Sequence, residues 1–299
     1  MKPSSAPSAR RPSHSRLWAW GAAVFVCVAA LLGIAIYGIV TGKTRSFGVA
    51  SGGGQTPTTT VPEPAPADRS PRKLDGLAVS TTVAALRPWA FMIDNQVDAR
   101  PAEGLEKASV VIEAPVEGGI TRFLALFDPG TAEAFPIGPV RSARPYFVEW
   151  AGAWKAVFGH VGGSPEALER LAQTPSSTVL DVNEMIVGSR GFWRDANRVS
   201  PHQVLTNPPR FAAFLGSVAS STALFAPWRF TGSDAPTSTV SPVSTISVPY
   251  GGSYSVRWLY DESKNAYRRA QSGRPVTRSF VYAANVVVLK TDAQTLDDK

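Results

Sequence analysis

The strongest pattern along the chain is an uncharged apolar stretch from Leu17 to Val40. As a helix rising about 1.5 Å per residue it would reach roughly 36 Å, enough to span a bilayer with some tilt. Trp18, Trp20 and Tyr37 lie near its ends, where interfacial aromatics belong. Lys2, Arg10, Arg11 and Arg16 precede it, and only Lys43 and Arg45 follow closely. The cation excess predicts a cytoplasmic basic tail over 1–16, a transmembrane helix over 17–40, and everything later outside the membrane. A cleaved signal peptide would carry a shorter apolar region of about 7–15 residues. Cys27 sits mid-span behind Val24, Phe25 and Val26 and reads as apolar filler. Residues 41–72 are rich in Gly, Ser and Thr, then in Pro, with too little apolar content to order themselves. They predict a disordered stalk.

From 77 to 222, apolar runs alternate with polar clusters. Pro88–Ile93 reads as a buried strand ending at Asp94 and Asn95. Val110–Ile112 leads to Glu113, and Val116 to Glu117-Gly118-Gly119. Ile120–Phe127 carries the single charge of Arg122, and Ala156–Val161 carries His160 before Gly162-Gly163. Their lengths and Gly/Pro boundaries favour strands. Pro145 opens a helix with a stripe of Tyr146, Trp150 and Trp154. Ser164-Pro165-Glu166 caps a second helix with Leu168, Leu171 and Ala172 inward. Asn207-Pro208 starts a third, with Phe211, Phe214, Leu215 and Val218 on one face. The alternation predicts an α/β or α+β layered domain.

Residues 223–299 read as a smaller β-rich domain. A Ser/Thr/Pro-rich loop over 232–245 precedes Ile246–Val248 and Ser253–Tyr260, where Val256, Trp258 and Tyr260 alternate. Asp261–Asn265 turns into Ala266–Ala270, and Phe280–Leu289 predicts a last strand, completing a meander. So small a core should pack on the first domain. Trp258 and Tyr260 read as core aromatics in preference to a sugar platform.

Charge changes the picture less than its sum suggests. The chain of 299 residues has a formal net charge of +7, but residues 1–72 hold +6 of it and 73–299 only +1. That argues against a phosphate-tracking groove, so no nucleic-acid partner is expected. A single cysteine excludes an intrachain disulfide and a Cys-rich zinc site.

Candidate chemistry gathers at strand ends and nearby loops: Asp94, Asn95, Glu113, Glu117 and His160, with Arg100, Arg122, Arg141, Ser142, Arg144, Arg194, Asp195, Arg198 and His202. Neighbouring strand ends meet at one sheet edge, so most of these should converge on one face. Arg141 and Arg144, three apart around Ser142, could grip an anion with two guanidinium forks, or pair with Glu113 and Glu117. The glycine turn into Ser164 could hold an anion on a helix start, or be an ordinary capped connection. Glu113 and Glu117 could form an acid/base pair, although Pro115 lies between them. The glycine turn lacks the second glycine of a nucleophile elbow and the lysine of a phosphate loop. His160 and His202 lack zinc-site spacing, and His160 reads as a hydrogen-bonded core histidine. No metal and no cofactor are expected.

Six segments together resemble a known family: RPWAFMIDN (87–95), DARPAEGLEKASVVIEAPVEGGITRFLALF (98–127), IGPVRSARPYFVEWA (137–151), HVGGSPEALERL (160–171), FWRD (192–195) and PH (201–202). In order, they are similar to the bacterial YerB-like lipoprotein family, domain of unknown function 3048, over about residues 77–299. The resemblance implies a mixed N-terminal domain, a smaller β-rich one, and an extracytoplasmic protein tethered to the membrane. It implies no activity. Asp94, Glu113, Glu117, Arg122, Arg141, Ser142, Arg144, His160, Ser164, Arg194 and His202 fall in its signature segments. Three departures stand out. A membrane helix replaces the lipidated cysteine. Val276-Thr277-Arg278 stands where the family carries a His-x-Asp. The family's strands continue past the segment similar to Ala284–Leu289, so the second domain is expected to be incomplete.

Together these features predict a single-pass, membrane-anchored protein of the bacterial cell envelope, with its globular part outside. Its role is expected to be non-catalytic binding of a ligand or envelope partner, an anionic one being the option that the paired arginines suggest. The rivals are a hydrolase of cell-wall or anionic substrate using the Glu/Arg/His cluster, and a scaffold whose cluster is internal salt bridges. An open pocket would favour the hydrolase or binder, and mutual pairing the scaffold.

Overall fold

The computed structural model describes residues 68–130, 132–222, 225, 228–230, 243–252, 254–273 and 275–291. The predicted tail, the Leu17–Val40 span and most of the stalk lie outside them. Among the described residues, no helix is long and apolar enough to cross a membrane. Elements run β1 (Arg69–Pro71), β2 (Ala78–Ser80), α1 (Thr81–Ala84), β3 (Trp89–Asp94), β4 (Val110–Pro115), β5 (Thr121–Phe127), α2 (Pro145–Ala153), β6 (Val157–His160), α3 (Pro165–Gln173), β7 (Leu180–Asn183), α4 (Glu184–Val187), β8 (Trp193–Arg194), β9 (Val204–Leu205), α5 (Pro208–Leu215), β10 (Thr245–Gly251), β11 (Tyr254–Asp261), β12 (Ala266–Gln271) and β13 (Tyr282–Ala283). The end of the predicted stalk is corrected: Arg69–Pro71 pairs antiparallel with Ala78–Ser80, and Arg72 closes the turn on Asp75.

A five-stranded mixed sheet, β4-β5-β3-β6-β7, organises the first region. β5 runs against β3 and β4, while β6 is parallel to β3 and β7 to β6. Both faces are covered, so β3 is apolar at successive positions without alternation. Trp89, Phe91 and Ile93 join Phe123, Ala125 and Phe127 against Phe192 and Phe211. Ala90 and Met92 join Leu124 and Leu126 against Phe147, Val148, Ala151, Ala167 and Leu171 of α2 and α3.

The helices start where the sequence places them. Ser164 Oγ accepts the Ala167 N–H at 3.3 Å, and Asn207 Oδ1 accepts the Arg210 N–H at 2.8 Å. Their buried faces differ from the predicted stripes. α2 buries Phe147, Val148 and Ala151, leaving Tyr146 and Trp150 half-buried. α3 buries Ala167 and Leu171 while Leu168 and Ala172 are exposed. In α5, Phe211 and Leu215 are buried and Val218 lies beyond its end, exposed. Large aromatics score as core by type, but the short helices present only a narrow face to the sheet.

The C-terminal part is a four-stranded meander, β10-β11-β12-β13. It docks on the first region: the Ala102 N–H donates to Val276 O at 2.6 Å, and Val276 is buried in the Trp89–Phe211 core. Trp258 and Tyr260 are half-buried and outside both cores. The predicted last strand is shorter than expected. Only Tyr282–Ala283 pairs, and Val287, Val288 and Leu289 are exposed. Strand propensity alone does not order a segment whose edge, among the described residues, has no ladder partner.

Candidate functional site

Strand direction brings the candidate residues to one end of the sheet. β3, β4, β6 and β7 share a direction opposite to β5, so their C-terminal ends gather with the start of β5. A wedge completes this edge. β3 pairs with β6 only over Trp89–Phe91. Beyond that, Pro139–Ala143 inserts between them. Asp94 N–H donates to Pro139 O and Arg141 N–H to Met92 O, each at 2.9 Å, while Val161 N–H donates to Arg141 O at 3.0 Å. The wedge carries Arg141, Ser142 and Arg144 to the edge.

The expected single cluster divides between the two faces of the sheet. Asp94 and Arg122 lie on the face of Met92 and Leu124, the α2–α3 side. Asp94 Oδ2 accepts from Arg141 Nε at 3.0 Å and pairs with His202 Nδ1 at 2.8 Å. Arg144 is bidentate to Glu117, with Nη2 to Oε2 at 2.6 Å, and Nη1 donates to Ala143 O at 2.7 Å. The hydrogen bonds from Arg144, with its charge adding to them, hold the Glu117 carboxyl below its usual range against the opposing effect of burial. Arg122 is 6% exposed, and its one hydrogen bond among the described residues runs from Nη1 to Ser142 O at 2.9 Å. Its Nε is buried without a partner. Burial, and then the nearby Arg144, push its pKa down to about 10.

Glu113 faces the other way. Its ladder partner is Phe123, on the Trp89–Phe211 side. Glu113 Oε2 accepts from Arg269 Nη2 at 2.8 Å; Oε1 accepts from Thr121 Oγ1 and Tyr254 Oη, each at 2.7 Å. Asn95 Nδ2 adds bonds to Thr121 Oγ1 at 2.7 Å and Tyr254 Oη at 2.8 Å. Arg100 Nε donates to Asn95 O at 3.1 Å, and the Arg100 guanidinium lies 5.3 Å from the Tyr254 ring centre. Burial alone would lower the Arg269 pKa, but the Glu113 charge and the Tyr254 contact leave it raised. Burial, then Glu113, raises Tyr254.

The remaining candidates sit apart from both groups. His160 is fully buried, stacked on Phe158, with Nε2 2.6 Å from Asp181 Oδ1 and Nδ1 2.7 Å from Gly162 O. Ser164 is the cap of α3, and Arg194 pairs with Glu184 at 2.8 Å. Arg198 binds Glu103 at 2.9 Å and two carbonyls, Ala99 O and Pro101 O. Glu113 and Glu117 thus each engage their own arginine on different faces. The Arg144–Glu117 pairing matches one reading of the sequence; the partner of Glu113 is instead Arg269, with Arg141 taken by Asp94. A cavity of about 140 Å³ lies at the opposite end of the sheet, lined by Trp89, Ser109, Phe127 and Asp128.

Sequence reasoning missed Thr121, Asp181, Glu184, Tyr254 and Arg269. Arg269 carried the one available signal, a charge at a buried position of a meander strand. At Val276-Thr277-Arg278, Val276 enters the core, Thr277 Oγ1 donates to Ser279 O at 2.6 Å, and Arg278 reaches Glu103 at 3.4 Å.

Residues 74–221 match the family described as "Protein of unknown function (DUF3048) N-terminal domain". "Putative lipoprotein YerB" of Bacillus subtilis (strain 168) is 40% identical over 147 residues, 49% of this chain and 42% of that protein. The chain therefore aligns with less than half the length of that curated relative. The crystal structure of the YerB protein from Bacillus subtilis superimposes with a TM-score of 0.59 at 30% identity, over 70% of this chain and 71% of that one. The paired arginines and acids at the sheet edge lie within the matched residues, apart from Arg269 and Tyr254, and the chain belongs to the YerB-like family.

Proposed function

We propose that this chain is a membrane-anchored extracytoplasmic protein of the cell envelope that binds an anionic ligand or partner without catalysing a reaction. The observation that carries the binding reading is the convergence of Arg122, Arg141 and Arg144 around Ser142 with, among the described residues, only Asp94 and Glu117 to balance them. Arg122 has no carboxylate within ion-pair distance among the described residues, and a buried cation without a counter-ion is costly unless it serves a purpose. The tether rests on the uncharged Leu17–Val40 stretch with its basic flank, and on the lipoprotein name of the relative. The engagement of Glu113 and Glu117 with separate arginines argues against the hydrolase reading. The Glu113 group itself supports the scaffold reading, for that half only: Arg269 and Tyr254 join the meander to the sheet through it.

Two experiments test this. Protease added to spheroplasts should cleave within 41–67 and release a soluble fragment; a fragment protected until the membrane is breached reverses the orientation. Full-length protein in detergent, dialysed against labelled inorganic phosphate, should take it up saturably. Arg144→Gln should abolish uptake without unfolding the protein. No uptake by the unaltered protein retires the binding reading.

A further inference from the structure

Resting on that anion-binding reading, we propose that Glu117 is a displaceable stand-in for a phosphate group, held in its place until the ligand arrives. The asymmetry of the Arg144–Glu117 pair carries the inference. The Arg144 side chain is 14% exposed and the Glu117 side chain 64%. The arginine is built into the protein, and the carboxylate is laid on it from outside. Arg144 and Arg122 are also anchored without Glu117, through Ala143 O at 2.7 Å and Ser142 O at 2.9 Å. Departure of the carboxylate would leave both guanidiniums where they are. Glu117 itself rides on Gly118 and Gly119, both in the left-handed region and with open space around them. The backbone at these two glycines can therefore adjust without meeting packed neighbours, while Val116 and Ile120 hold the base of the turn.

The competition selects the class of ligand. A tethered carboxylate has a high effective concentration, so a free monocarboxylate making the same bidentate contact gains little over it. A phosphate group brings more charge and a third oxygen, and so can engage Arg122, which Glu117 does not pair with. The shared chemistry is the phosphate group, whether free or carried on an organic molecule.

The test is calorimetric titration of full-length protein in detergent with inorganic phosphate, glycerol phosphate and acetate. Glu117→Gln keeps shape and removes the charge. It should bind a phosphate ligand about tenfold more tightly than the unaltered protein, because the tethered competitor is gone. Adding Arg144→Gln to Glu117→Gln should abolish that binding, and acetate should not bind the unaltered protein measurably. Tighter inorganic phosphate marks a free ion as the ligand, and tighter glycerol phosphate an organic carrier. Equal or weaker phosphate binding by Glu117→Gln overturns the stand-in role while leaving the anion site standing. Absence of phosphate binding in both proteins overturns both.

Discussion

Arg122 lies directly opposite Asp94 in the β3–β5 ladder, yet the Asp94 carboxylate goes to Arg141 and His202 instead. Opposite charges facing each other across a ladder ordinarily pair. Here the wedge of Pro139–Ala143 brings Arg141 to Asp94 Oδ2, His202 shares that oxygen, and the Gln96 N–H takes Oδ1 at 3.1 Å. Arg122 is left buried with a carbonyl for company. Burial, and then the neighbouring Arg144, bring its pKa down to about 10.

Arg122→Met should therefore cost less than ~1 kcal/mol at neutral pH, or raise the melting temperature, since a buried cation with no ion-pair partner among the described residues is replaced by a packed apolar chain. The sign with pH follows. The folded-state pKa is depressed, so the unfolded chain holds this proton more tightly, and the penalty of keeping Arg122 charged fades as pH rises above about 10. Thermal melts of both proteins at pH 7 and pH 10.5 check it: the unaltered protein should gain stability relative to the variant at the higher pH. A loss of many degrees at pH 7 would mean that Arg122 is structurally required.

Arg269→Leu should destabilise strongly, by ~3–5 kcal/mol, because it leaves the Glu113 carboxylate buried and unpaired. Adding Glu113→Leu should recover a large part of the loss. Urea denaturation of the single and double variants measures the coupling directly, and equal stability of the two variants would exclude it.

Glu117→Gln should change stability by less than ~1 kcal/mol, since the carboxylate is mostly exposed and its ion pair is screened by solvent. Arg144 depresses the folded-state pKa of Glu117, so the small contribution is present at neutral pH and is lost as pH falls through that depressed value. Melting curves of the two proteins should differ slightly at pH 7 and converge as the pH is lowered through the acid range.

Gly159→Ala should destabilise by ~1–3 kcal/mol through overpacking. A Cβ at Gly159 would lie 2.4 Å from Phe91 Cδ1, and Phe91 is fully buried. Chemical denaturation checks the loss. Phe91→Leu in the Gly159→Ala background should recover stability if that contact is the cause.

Sequence by itself determined the local elements. The runs that became β3, β5 and β6, and the caps at Ser164 and Asn207, were legible because strand length, Gly/Pro boundaries and capping chemistry are short-range properties. It also marked the polar positions of the sheet edge, since each charge interrupts or ends an apolar run. Tertiary structure decided which of those positions meet. Strand pairing has a period of two, so whether Glu113 shares a face with Asp94 depends on register. That register turned Glu113 toward Arg269, 156 residues away, and Asp94 toward a wedge inserted between two parallel strands. Nothing local to Arg122 says that its opposite number is already taken. The partner that excludes it arrives from distant chain, and burial then makes the vacancy costly.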